Sequence, residues 1–184
     1  MSTTIFFVRH AHSIYTPDEL RRPLSNRGME DTKRVTNRLK QEEIDCVISS
    51  PYKRAIQTVE GVAKQLNQKV IIEADLRERK LAGVSVDNFD YASEKVWSDY
   101  SFSWSGGESN VVAQQRGVKT MMWILQTYKG ENIVIGTHGN IMVLIMNYFD
   151  EKYGYSFWKQ LNMPDIYKLS FHDRSLKTVE HIPI

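Results

Sequence analysis

The strongest constraint in this 184-residue chain is an alternation. Short apolar runs are each followed at once by charged or hydroxyl residues and then by a helical pattern. Ile5–Val8 is such a run, closed by Arg9-His10; Asp45–Ile48 is a second, closed by Ser49-Ser50-Pro51. Lys69–Ile72 and Asn132–Gly136 are a third and a fourth. Runs of this length bounded by turn residues read as buried strands. Between them the spacing predicts helices. One starts at the Leu24-Ser25-Asn26-Arg27-Gly28 signal and reaches about Gln41, with Val35 and Leu39 inward. A second runs from Pro51 to about Leu66, with Ile56, Val59, Val62, Ala63 and Leu66 on one face. A third is capped by Glu108 or Ser109 and continues to about Tyr128; a fourth covers Ile141–Tyr148. Tyr167–Phe171 and Leu176–Glu180 read as a closing hairpin around Asp173-Arg174-Ser175. Residues 73–107 are irregular, rich in charge and aromatics, and read as an insertion with one short helix. The expected architecture is α/β: a three-layer sandwich with a mostly parallel six-stranded sheet, helices on both faces and right-handed crossovers. Residues 1–184 are expected to form one domain.

Composition closes off several classes. Hydrophobic residues make up 41% and charged residues 25%, as in ordinary globular proteins. The 24 Lys and Arg against 22 Asp and Glu leave a formal charge of +2, which gives no global case for nucleic acid or a membrane surface. The charged stripe Arg21, Arg22, Arg27, Lys33, Arg34 and Arg38 lacks the interleaved aromatics of a stacking platform and reads as a solvated face. One cysteine, Cys46, allows no internal disulfide and no Cys-rich metal centre. The N-terminus has no signal-peptide pattern, and no apolar run approaches the length of a membrane span, so the cytoplasm is the expected compartment.

In a parallel sheet, every segment that follows a strand emerges at the carboxyl edge, where α/β proteins bind ligands. The alternation therefore sends Arg9-His10, Ser49–Arg54, Leu76-Arg77-Glu78-Arg79 and Thr137-His138-Gly139 to one crevice. Two His, several Arg and one Glu at such an edge suit a phosphoryl group. Arg offers forked donors to its oxygens, and a His donor adds to them. Neither an Asp cluster nor a His-x-His pair supplies a metal ligand set, so no metal or other cofactor is expected.

The segments Phe7-Val8-Arg9-His10-Ala11, Ser49-Ser50-Pro51-Tyr52-Lys53-Arg54-Ala55, Leu76-Arg77-Glu78-Arg79 and Thr137-His138-Gly139 resemble, in this order, the histidine phosphatase superfamily, also called the phosphoglycerate mutase-like family. Pro23–Gly28 and Gly106-Gly107-Glu108-Ser109 match its secondary signatures. The resemblance implies a phosphoglycerate mutase-like fold and a phosphohydrolase that passes through a phosphohistidine on His10. It implies phosphate binding by Arg9, Arg54 and His138, and proton donation by Glu78, with Glu108 as the competing acid. Arg-His-Ala-His stands where the family commonly has Arg-His-Gly, so His12 replaces a frequent acidic residue. Ser13 or Thr16 stands in for a frequent phosphate-binding Asn. The short chain leaves little material for a closed lid, which favours water over a second acceptor and hence phosphatase over mutase. A small phosphorylated metabolite is the expected substrate; mutase-type transfer and phosphohistidine or phosphotyrosine phosphatase activity are the alternatives, with a catalytically silent phosphate-binding module as a further one. Phe89, Tyr91, Trp97, Tyr100, Phe102 and Trp104 read as a wall over the pocket or as packing of the insertion. Tyr153, Tyr155, Phe157, Trp158 and Met163 read as a homodimer surface or as a wrap over the core.

Overall fold

The computed structural model describes residues 1–184. Its elements run β1 Ser2–Arg9, α1 Asn26–Leu39, β2 Cys46–Ser49, α2 Lys53–Gln65, β3 Ile71–Ile72, a 3-10 turn at Ala74–Leu76, and α3 Phe89–Ser98. They continue with α4 Asn110–Thr127, β4 Asn132–Thr137, α5 Gly139–Phe149, α6 Tyr155–Gln160, β5 Asp165–His172 and β6 Ser175–His181. The six strands lie in the order β3-β2-β4-β1-β5-β6. β1 to β4 are parallel, and β5 and β6 add as an antiparallel ribbon against β1. The sheet is thus mixed, with the parallel half carrying the crevice.

The layers follow from the two-residue period of a strand. Along β1, Ile5 and Phe7 enter one core with Ile124, Met121 and Ile141 from α4 and α5. Phe6 and Val8 enter the opposite core with Val35, Leu39, Val59 and Val62 from α1 and α2. A strand buried on both faces reads as a continuous apolar run, which is why β1, β2 and β4 stand out in the sequence. β3 is different: only Ile71 and Ile72 pair, and both are exposed. The insertion holds one helix, α3, capped by Asn88, whose side chain accepts from the Tyr91 N–H. Trp97 is buried and Tyr100, Phe102 and Trp104 pack against the first core, while Phe89 and Tyr91 face solvent. Of the C-terminal aromatics, Tyr153 is buried in that core, and Tyr155, Phe157 and Trp158 pack against it half-buried, so this segment wraps the core. Part of it is α6, a helix without a side-chain cap and with no fully buried residue.

The end of β1 is welded to the start of α1. Ser25 caps α1 by accepting from the Gly28 N–H, and its hydroxyl and N–H also reach His12. A Cβ at Gly28 would stand 2.1 Å from the His12 carbonyl oxygen, a clash against backbone. His12 is thereby fixed on α1, its Nδ1 2.8 Å from the Ser25 hydroxyl. Replacing Gly28 by Ala should cost about 1–3 kcal/mol through overpacking, read as a lower urea midpoint at unchanged m-value. A midpoint equal to the parent's would show that the contact carries no strain.

Candidate active site

His10 follows β1 directly and is 7% exposed. Its Nδ1 lies 2.7 Å from the Ala11 carbonyl. A carbonyl only accepts, so Nδ1 carries the hydrogen and Nε2 carries the lone pair. That Nε2 faces Nε of Arg54 at 3.3 Å. Burial, then the Arg54 charge, push the imidazole down to about 3; Arg9 and Arg22 press the same way, and the Ala11 hydrogen bond opposes them. The ring is therefore neutral at neutral pH, and its Nε2 electron pair accepts from the Arg54 Nε–H in a cationic environment. Ala11 itself is anchored by its N–H to Oγ1 of Thr58, which in turn donates to the Arg54 carbonyl.

His138 ends the loop after β4 and is fully buried. Its ring meets that of His10 edge-on at 5.2 Å between centroids, and Nε2 lies 2.7 Å from Oγ of Ser50, at the end of β2. Burial and the Arg54 charge hold it well below the ordinary histidine value. Arg54, in the first turn of α2, is 3% exposed. Its Nη1 donates to the Glu19 carbonyl at 2.9 Å and its Nη2 to the Glu19 carboxylate at 2.8 Å. Glu19 also pairs with Arg22. A carboxylate from the β1–α1 loop thus lies on the guanidinium nearest His10, and an incoming anion competes with it.

Arg9 places Nη1 on the Leu161 and Asn162 carbonyls at 3.1 and 3.0 Å. The Asn162 N–H is held by buried Asp165, which pairs with His181. Burial lowers the Arg9 guanidinium, and Glu78 and Asp165 oppose that shift. A Cβ on Gly139 would lie 3.1 Å from Nε of Arg9 and 3.2 Å from Nε1 of Trp158, so glycine at this point lets both groups rest on the first turn of α5. Those two nitrogens and Nδ1 of His138 have no hydrogen-bond partner within the protein. The crevice is rich in donors, as oxygens of an anion require.

Glu78 sits beside the same turn. Its Oε1 accepts from the N–H groups of Arg79 and Ile141 at 2.8 and 3.0 Å. Its Oε2 accepts from the N–H and Nδ2 of Asn140 at 3.0 and 3.2 Å. The helix start thus receives a carboxylate, as its orphan N–H groups and dipole favour. Glu108 lies in a different set of contacts. Both its oxygens pair with Arg116, at 2.7 and 2.8 Å. Arg116 in turn clasps the carbonyls of Asp75, Arg77 and Glu78. Glu108 and Arg116 brace the loop that presents Glu78, and Ser109, not Glu108, caps α4.

The crevice accordingly gathers His10, Arg9, Arg54 and His138, with Glu78 beside Asn140. It does not gather every residue singled out in the sequence. Ser13 makes a backbone bridge to Leu24, and the Thr16 hydroxyl donates to the Asp18 carbonyl; neither is bonded to His10, Arg54 or His138. Glu19, Arg22, Thr58 and Asn140 join the crevice without a role read from the sequence, while Ser50 stands inside the Ser49–Arg54 segment that the sequence sends there. Asn140 directly follows Thr137-His138-Gly139, so position behind the strand end is an available signal; Glu19 lies in a charged loop with none.

This geometry has known counterparts. The sequence profile of the histidine phosphatase superfamily (branch 1) matches residues 5–181. The chain belongs to the histidine phosphatase superfamily. Among curated relatives, it is 29% identical to phosphoglycerate mutase-like protein 4 of Arabidopsis thaliana over 154 residues, 75% of this chain and 67% of that one. It is 28% identical to the metal-independent phosphoserine phosphatase of Arabidopsis thaliana over 156 residues, 76% of this chain and 66% of that one. The match thus spans about two thirds of these relatives' length. Of solved structures, mycobacterial glucosyl-3-phosphoglycerate phosphatase superposes with a TM-score of 0.79 at 17% identity, covering 98% of this chain and 97% of that one. Phosphoserine phosphatase from Entamoeba histolytica gives 0.80 at 17% identity, covering 98% and 96%. At such identities these two establish the fold. Family and phosphatase-named relatives together give this chain a histidine phosphatase domain of the phosphohydrolase type. No helix of it is long and apolar enough to cross a membrane.

The neutral buried imidazoles carry a linkage consequence. His10 has a folded value near 3 against about 6.5 when unfolded. Between those values the unfolded chain binds the extra proton, so stability present above pH ~6.5 is lost as pH falls toward ~3. Denaturant titrations from pH 7 to pH 4 should show this loss, and His10→Asn should flatten it. Parallel curves for the parent and the variant would contradict a neutral, buried His10.

Proposed function

We propose that this chain is a phosphomonoester hydrolase that works without a metal, through a phosphohistidine on His10, on a small phosphorylated metabolite. The observation that carries this reading is the Nδ1–Ala11 hydrogen bond, which leaves Nε2 of His10 unprotonated beside Arg54. Nε2 attacks phosphorus, and the bond to the ester oxygen breaks. Nδ1–H stays on the Ala11 carbonyl, which stabilises the positive ring of the phosphohistidine. Arg9, Arg54 and the free Nδ1 edge of His138 supply donors to the equatorial oxygens, where charge on the transferring group must be balanced. No three His, Cys, Asp or Glu side chains are placed to hold a metal ion, and the reading assigns that charge balance to guanidinium groups.

Glu78 serves as the acid. It gives a proton to the departing oxygen, then takes one from the water that attacks phosphorus, breaks the P–N bond and releases inorganic phosphate. In the free protein four N–H groups address its oxygens. A protonated oxygen must shed one of them, so loading the proton goes with arrival of the phosphate. Glu108, committed to Arg116, is poorly placed to do the same. Trapping of the intermediate by a second phosphoryl acceptor would make the chain a mutase; the short insertion and its single helix favour water.

A panel of phosphate monoesters assayed with a strong chelator present tests the reading. Turnover should persist in chelator. His10→Ala should abolish it, while Glu78→Gln should retain more activity on an aryl phosphate, whose leaving group needs little protonation, than on an alkyl phosphate, by about 10²-fold or more. Loss on chelation restored by a divalent cation, or equal losses on both esters, would overturn it.

A further inference from the structure

Asn140, the second residue of α5, joins three separate elements. Its Oδ1 accepts from Nη2 of Arg79 at 2.9 Å and from Nε1 of Trp97, on α3 of the insertion, at 3.1 Å. Its Nδ2 donates to Oε2 of Glu78 at 3.2 Å. An amide has one accepting end and one donating end. Two N–H donors crowd the first end and a carboxylate the second, so one orientation satisfies all three contacts. Turned by half a rotation, the amide would set N–H against N–H and oxygen against oxygen, and all three would be lost.

Arg79 is otherwise hard to account for. It is 4% exposed, yet its Nε and Nη1 meet no acceptor, and its single side-chain hydrogen bond goes to the neutral Asn140 amide. Burying a guanidinium on such terms costs stability. Leu76-Arg77-Glu78-Arg79 also offers a contrast within one segment: Arg77 pairs with Asp75 at the surface, and Arg79 turns inward.

We propose that Arg79 and Trp97 act through Asn140 to hold Glu78 in the orientation that faces the departing ester oxygen, so that docking of the insertion on α5 sets the aim of the acid. Arg79, Trp97 and Asn140 are positioning residues in this scheme; none of them touches the reacting atoms. The inference rests on the proposed role of Glu78. It adds a reason why the insertion matters for chemistry: the indole N–H of Trp97 is the insertion's contribution to proton transfer.

The test compares kcat/KM for an aryl phosphate and an alkyl phosphate in the parent, Asn140→Leu, Trp97→Phe and Arg79→Met, with thermal unfolding as a check on folding. Trp97→Phe keeps an aromatic ring in the packing and removes the N–H, so it decides the matter if Arg79→Met fails to fold. Mis-aiming an acid forfeits part of its contribution, so Asn140→Leu should lose about 10-fold or more on the alkyl ester and under about 3-fold on the aryl ester. Trp97→Phe should show the same preference at smaller size. In a Glu78→Gln background, Asn140→Leu should change the alkyl-to-aryl ratio no further, the mark of two residues acting as one unit. Equal losses on both esters, or an additive effect on the ratio in that background, would overturn the relay while leaving the hydrolase reading intact. Absence of parental turnover on either ester would sink the hydrolase reading and the relay with it.

Discussion

A neutral imidazole sealed among guanidinium groups is the arrangement on which this structure depends. Burial, and then the Arg54 charge, disfavour the protonated His10 ring. The Ala11 carbonyl turns that liability into direction: it takes the one N–H the ring keeps and leaves the lone pair on the nitrogen that faces Arg54. Everything nearby serves that geometry. Thr58 pins Ala11 to α2, Ser50 takes the far nitrogen of His138, and the Asp165–His181 pair secures the turn on which Arg9 is anchored. The parallel half of the sheet brings these pieces together because each leaves the carboxyl end of a neighbouring strand.

Glu78 is held by a different physical device. The first turn of α5 has unsatisfied N–H groups, and Glu78 supplies the acceptor. Arg116 and Glu108 hold the loop from behind, through three carbonyls. Capping of α5 and placement of Glu78 are thus one interaction. The glycine that opens α5 adds a further economy of space, letting Arg9 and Trp158 lie against the same turn.

How much of this was legible in the sequence follows from burial. β1, β2 and β4 have both faces in apolar cores, so each reads as a compact apolar run, and the polar residues behind them mark the crevice without any knowledge of side-chain contacts. His10, Arg9, Arg54 and His138 were found this way. β3 pairs through two exposed residues and was drawn too long. α6 was missed because it is six residues long, uncapped and half-buried, and its aromatics carry no clean helical period. Ser13 and Thr16 carry hydroxyls near a motif, but in the β1–α1 loop Ser13 bridges Leu24 through its backbone and the Thr16 hydroxyl donates to the Asp18 carbonyl. Glu19 owes its place to a tertiary contact with Arg54 that no local pattern encodes; Asn140 follows Thr137-His138-Gly139 directly, and only its partners Arg79 and Trp97 are hidden from the sequence. Glu108 precedes the α4 cap and pairs with Arg116 inside that helix, a contact its place in the sequence leaves open.

We propose that the nitrogen of His10 that bonds phosphorus is Nε2, the one left unprotonated by the Ala11 hydrogen bond. Phosphorus NMR of enzyme quenched in alkali during turnover, combined with mass-spectrometric mapping of the labelled peptide, identifies both the residue and the ring position. The account predicts one phosphoryl group, on Nε2 of His10. A phosphoryl group on Nδ1, on His138, or on any hydroxyl would contradict it.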